Sequence, residues 1–154
     1  MKKALIAGLQ TALVLHGIGV AAALLVEPWF EGVNASATSF TQIYFDDPFL
    51  LFVYVLTIPF FVGLYHAIKV LGFAARNQTS SPGAIHAVAT IKRCALITAA
   101  TIVAVDAYLM IIARNTGEDA AGAIALGMIA TIASLVVAAA AALYGRRLQR
   151  PLST

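Results

Sequence analysis

Charge is scarce in this chain. Only 11% of its 154 residues are Asp, Glu, Lys or Arg, about half the share in an ordinary soluble domain. Cysteine is nearly absent too: Cys94 stands alone, which excludes an internal disulfide and a cysteine-based metal site. Catalytic and nucleotide-binding signatures are missing. There is no GxSxG elbow, no HExxH helix, no phosphate-cradling glycine loop and no dinucleotide fingerprint. The three histidines, His16, His66 and His86, are scattered. Counted from the span midpoints, His16 and His66 differ by about 10 Å in depth, too far for a bis-histidine haem. The sequence therefore points to no enzyme, no resident metal and no cofactor.

Apolar residues are what the chain has, at 61% of the total. They fall into four stretches, residues 4–26, 48–71, 94–112 and 120–144. Each is close to the ~20 residues with which a helix crosses about 30 Å of hydrocarbon. A span must satisfy its own backbone hydrogen bonds, so each is expected to be helical. The first run follows "MKK" and resembles a signal peptide, but it exceeds an h-region of roughly 7–15 residues and reads as a retained span. The expected fold is an all-α membrane protein, with four transmembrane helices in an antiparallel up-down bundle. It forms a single integral-membrane domain over residues 1–154.

The few charges are sharply sorted. If the N-terminus, the 72–93 connection and the C-terminal tail share one side, nine of the ten basic residues lie there and only Arg114 lies opposite. Six of the seven acids (Glu27, Glu31, Asp46, Asp47, Glu118 and Asp119) fall on the far side. The positive-inside rule makes the basic side cytoplasmic and places both termini there. The net charge of +3 and pI near 9.2 then reflect membrane orientation and not nucleic-acid binding. His86, Lys92, Arg93, Arg146 and Arg147 are the candidates for contact with anionic lipid headgroups, a cytoplasmic regulator or a membrane partner.

Local signals set the helix ends. Asp47–Pro48 and Ser81–Pro82 each supply a capping side chain followed by proline at the first helical position. The third span thus begins near residue 82, as a cytoplasmic extension of the 94–112 segment. Gly117 suits a left-handed cap, with Glu118 and Asp119 opening the next helix. Trp29, Phe30, Tyr44 and Phe45 read as an interfacial aromatic belt. Tyr65, His66 and Lys69 read as interfacial residues of the inner end, with a cytoplasmic binding mouth as the alternative. The sequons at Asn34 and Asn77 are short enough to arise by chance. Pro59 frees the Val55 carbonyl and is expected to kink its helix. Three small-residue ridges should face protein: Ala4–Gly8–Ala12–His16, Ala123–Gly127–Thr131 and Ala130–Ser134–Ala138–Ala142.

The stretch 57–95 carries Ile58-Pro59-Phe60-Phe61, Leu64-Tyr65, Ala67, Lys69, Leu71, Asn77, Ser81 and Ile91-Lys92 followed by Cys94-Ala95. Together with the basic-ended last span, it resembles a bacterial membrane family of unknown function, DUF2975. The resemblance covers roughly residues 48–150 and implies four helices in a bacterial inner membrane. Members are often encoded beside a small helix-turn-helix regulator, which suggests a sensing or regulatory role. The family brings no catalytic residues.

Asp106 is the one carboxylic acid inside an apolar run. An ionised group at mid-membrane costs at least ~2.5–3.5 kcal/mol, so Asp106 is expected to face the bundle interior and have a partner. By count from the midpoints, His16, Thr57 and Thr131 fall within a few ångströms of its depth. These four residues are the candidate intramembrane site. Asp106 serves there either as a neutral structural hydrogen-bonding group or as a proton or ligand site. The expected function is a non-enzymatic sensing, regulatory or interaction component of the bacterial inner membrane. The alternative is a small oligomeric transporter or proton-linked channel built on Asp106.

Overall fold

The computed structural model describes residues 2–30, 39–45, 48–117 and 119–149, without the side chains of Lys2, Glu27, Trp29, Phe30, Pro48, Phe49, Leu51 and Phe52. The Asp47 cap, the Asn34 sequon, Glu118 and the belt side chains of Trp29 and Phe30 lie outside the described residues. Among the described residues, five helices follow one another: α1 (Lys2–Phe30), α2 (Phe40–Phe45), α3 (Pro48–Ala75), α4 (Pro82–Thr116) and α5 (Ala121–Gln149). Among the described residues there is no strand. All but the short α2 are long and apolar enough to cross a membrane.

The helix ends have local causes. The Ser81 hydroxyl accepts the Ala84 N–H at 3.3 Å, and Pro82 follows at the position where its missing N–H leaves no bond unmade. Gly117 closes α4 at φ 74°, its N–H donating to the Ala113 carbonyl at 2.9 Å. A side chain there would strain the left-handed backbone. α3 runs through Pro59 without interruption. Pro28 in α1 has no N–H to offer the Leu24 carbonyl, and the Tyr54 hydroxyl of α3 donates to that oxygen at 3.4 Å. The Tyr44 hydroxyl of α2 donates to Leu25 O at 3.0 Å, tying α2 to the same end of α1.

Packing is serial. α1 packs on α3, α3 on α4 and α4 on α5, while among the described residues α1 and α5 form no extensive interface. Each pair is antiparallel. Gly17 faces Leu64 and Gln10 reaches Ile68 across α1 and α3; Gly63 meets Cys94, and Gly83 meets Phe73, across α3 and α4. Across α4 and α5, Asp106 meets Gly127 and Val88 meets Gly145. Among the described residues, five of the seven buried apolar core residues, Ala84, Ala87, Val88, Cys94 and Ala99, belong to α4. α4 is therefore the central helix, and its small side chains let both neighbours come close. Lipid tails give no hydrophobic drive to helix association, so such close approach is what holds the spans together. Large apolar side chains such as Leu15, Leu126 and Ile132 point outward, as they must in hydrocarbon.

The two ridges on α5 are covered in part: Gly127 touches Asp106 and Ala138 is buried, while Ala123 and Ala130 are exposed. The ridge on α1 corrects the sequence reading. Ala4, Gly8 and Ala12 are exposed, and a side-chain carbon added at Gly8 would meet nothing within 4 Å. α1 makes its close approach through buried Gly17 instead. It has one packed long-helix neighbour, not two, so only one of its stripes is needed.

Candidate functional site: an intramembrane cavity and a basic end

The four long helices line a cavity of about 360 Å³, and among the described residues α1 and α5 make no extensive contact with each other. Its walls are mostly apolar, with Leu13 from α1, Phe60 and Leu64 from α3, and Val137 from α5. Three hydrogen-bonding side chains interrupt them: His16 from α1, Thr98 from α4 and Ser134 from α5. The His16 ring packs edge-on against Phe60, with centroids 5.8 Å apart and planes at 69°. The Thr98 hydroxyl is buried without a hydrogen-bond partner. An apolar groove continues from the cavity along α1 and α3, past Leu9, Ala12, Val70 and Leu71. That direction leads toward the end of the molecule where the basic residues gather.

The four intramembrane candidates separate. The Asp106 carboxylate rests against Gly127, in the space where any other residue would carry its side chain. Among the described residues it makes no hydrogen bond. In the antiparallel register set by Asp106–Gly127 and Val88–Gly145, Thr131 lies about one turn inward along the same seam. Its hydroxyl is buried and unpartnered. Thr57 is satisfied within its own helix, donating to the Tyr54 carbonyl at 2.8 Å. His16 belongs to the cavity, beside Cys94 and Thr98. Those residues lie about 12–18 Å along α4 from Asp106, at 1.5 Å per residue. The cavity and the acid are thus two separate places.

At the basic end, α4 adds His86 to the Tyr65, His66 and Lys69 group of α3. The His66 and His86 rings lie 6.4 Å apart, Tyr65 packs on His66 at 5.4 Å, and Lys69 sits 5.4 Å over the Tyr65 ring. His66 Nδ1 is buried without a partner. The α4–α5 register sets Arg146 and Arg147 about level with His86, and Lys92 and Arg93 one to two turns along α4. All four of these basic residues are exposed, and none has an acidic partner among the described residues. The two acids whose side chains are described, Asp106 and Asp119, lie farther along the α4–α5 seam and beyond it, so no described acid offsets the positive charge of this surface.

Thr98 and Ser134 were not singled out as site residues in the sequence. Ser134 sits on a small-residue ridge and Thr98 is one of several span hydroxyls, so only the register shows that they face a common space. The pairing of His66 with His86 left no sequence signal at all, since it depends on how α3 and α4 are offset.

A family model described as "Protein of unknown function (DUF2975)" matches residues 32–150. The chain is also 32% identical over 146 residues to the "Uncharacterized membrane protein YoaS" of Bacillus subtilis (strain 168), covering 94% of this chain and 89% of that protein. No solved structure matches it. Four apolar helices of spanning length, with a family model covering most of their residues, lead to one conclusion: the chain belongs to the DUF2975 family of membrane proteins.

Proposed function

We propose that this protein is a non-enzymatic sensing or regulatory component of the bacterial inner membrane, with both termini cytoplasmic. The observation that carries this reading is the cavity held open between α1 and α5. An apolar chamber inside the membrane accepts a lipophilic molecule, and the serial packing lets α1 and α5 respond to it independently. The output surface is the basic end, where His86, Lys92, Arg93, Arg146 and Arg147 would meet anionic headgroups or an acidic partner. A proton- or cation-linked transporter fits less well. It would need its carboxylate on the chamber, and Asp106 is on the α4–α5 seam instead.

Complementation of a deletion strain separates these readings. Replacing Lys92, Arg93, Arg146 and Arg147 with glutamine should abolish complementation, while Asp106→Asn, which removes titration but keeps hydrogen bonding, should retain it across pH. The reverse pattern, with the Asp106→Asn protein stably folded and inactive, would overturn regulation in favour of transport. The orientation has its own test. Reporter fusions after Arg76 and after Thr154 should read cytoplasmic and one at Asn115 external, given the sorting of basic residues. A cytoplasmic signal at Asn115 would reverse the assignment.

A further inference from the structure

The cavity holds an unresolved chemical tension. His16, Thr98 and Ser134 reach it from three different helices, and none makes a side-chain hydrogen bond among the described residues. Serine and threonine in a span ordinarily return their hydroxyl to a carbonyl of the preceding turn. Thr11, Thr90 and Thr101 do so here, at 3.0, 3.0 and 2.6 Å. Thr98 and Ser134 do not. A polar group withdrawn from water without a partner costs free energy comparable to a lost hydrogen bond. The buried Thr98 hydroxyl is in that position. An acceptor that enters the cavity would meet it, with the half-buried Ser134 hydroxyl and the exposed His16 ring on the neighbouring walls.

The surroundings restrict what that acceptor belongs to. No Lys, Arg, Asp or Glu lines the cavity, so a phosphate or a fatty-acid carboxylate would lie in low dielectric without a counter-charge. The ligand is therefore uncharged. Its acceptor oxygens must be served from walls built by α1, α4 and α5, on different sides of one chamber. An ester presents its oxygens at one end, whereas a ring with carbonyls on opposite edges presents them on two sides. Phe60 and Pro59 supply apolar surface for such a ring. The opening between α1 and α5, and the groove past Leu9 and Val70, supply exits for an apolar tail into the bilayer. The volume of about 360 Å³ is at the lower end of ordinary small-molecule pockets, enough for a ring but not for a whole lipid.

We propose that the cavity binds the head of an isoprenoid quinone, with His16 on one ring carbonyl and Thr98 and Ser134 on the other. This deepens the sensing reading and rests on it. The test is binding of a short-tailed 2-methyl-1,4-naphthoquinone to the full chain in lipid nanodiscs, beside a naphthalene of the same tail without carbonyl oxygens. The quinone should bind about tenfold tighter than the naphthalene. Thr98→Val combined with Ser134→Ala, both close in size to the originals, should erase that difference, and His16→Phe should do the same. Asp106→Asn should leave it unchanged. Equal binding of the two probes by the unaltered protein would show that the cavity takes any apolar chain and would overturn the proposal. So would a preference for the quinone that survives in every cavity variant. Either result leaves the complementation experiment standing, so failure of the ligand and failure of the sensing role are read separately.

Discussion

Gly127→Ala is expected to destabilise the protein by about 1–3 kcal/mol, the usual cost of forcing extra volume into a packed contact. The new methyl would be built where the Asp106 carboxylate already lies. Either the acid turns out of the seam, uncovering a polar group toward hydrocarbon, or α5 moves away from α4. Thermal unfolding in detergent micelles measures the loss. Adding Asp106→Ala should recover most of it, with a coupling of at least ~1 kcal/mol between the two positions. Simple additivity of the two substitutions would show that the contact does not set the packing of this seam. Gly8→Ala is the internal control, since open space surrounds that position. It should be neutral or stabilise slightly, as alanine is the better helix former by about 1 kcal/mol.

The second large effect concerns the basic end. Replacing Lys92, Arg93, Arg146 and Arg147 with glutamine should weaken binding of phosphatidylglycerol headgroups at this end by roughly 10²–10³-fold, since each basic residue near a charged surface contributes about a factor of five. Energy transfer to a labelled anionic lipid in nanodiscs reads the change. Raising the salt concentration should weaken the unaltered protein and scarcely affect the variant, because exposed charges act through a screened field. The structure favours a collective effect: Arg146 and Arg147 stand level with His86, and no acid neutralises them among the described residues. Salt-independent association with unchanged affinity in the variant would remove this surface as an electrostatic partner site.

The features legible in the sequence were those that each residue carries locally. Hydrophobic length marked four spans, and Ser81–Pro82 and Gly117 marked the two ends of α4. What sequence could not supply was the offset between neighbouring helices. Counting outward from span midpoints treats every helix as centred on the same plane, and that placed His16 beside Asp106. The structure sets the offsets by contact instead: Gly17 against Leu64, Gly63 against Cys94 and Gly127 against Asp106. α4 is 35 residues long, about 52 Å, and reaches well beyond its apolar middle, so a midpoint is a poor reference for it. The same offsets bring His66 to His86 and place Thr98 and Ser134 on one cavity. The small-residue argument held for part of each α5 ridge and misplaced the face of α1. Such a stripe records that close approach is permitted without saying whether a neighbour uses it.

Serial packing also bears on how the chain is assembled as it is made. Each long helix packs against the one preceding it in the chain, with only the short α2 intervening. No packed interface waits for the first span to find the last. A newly inserted helix can dock as it leaves the translocation machinery, and each docking step closes only a short loop, where the entropic cost is small. Once α3 has left the ribosome and entered the membrane, α1 and α3 can be joined by Gly17 and by the Gln10 bond to Ile68 before α4 and α5 follow. α5, synthesised last, completes the structure from one side only, by laying Gly127 on Asp106 and Gly145 on Val88.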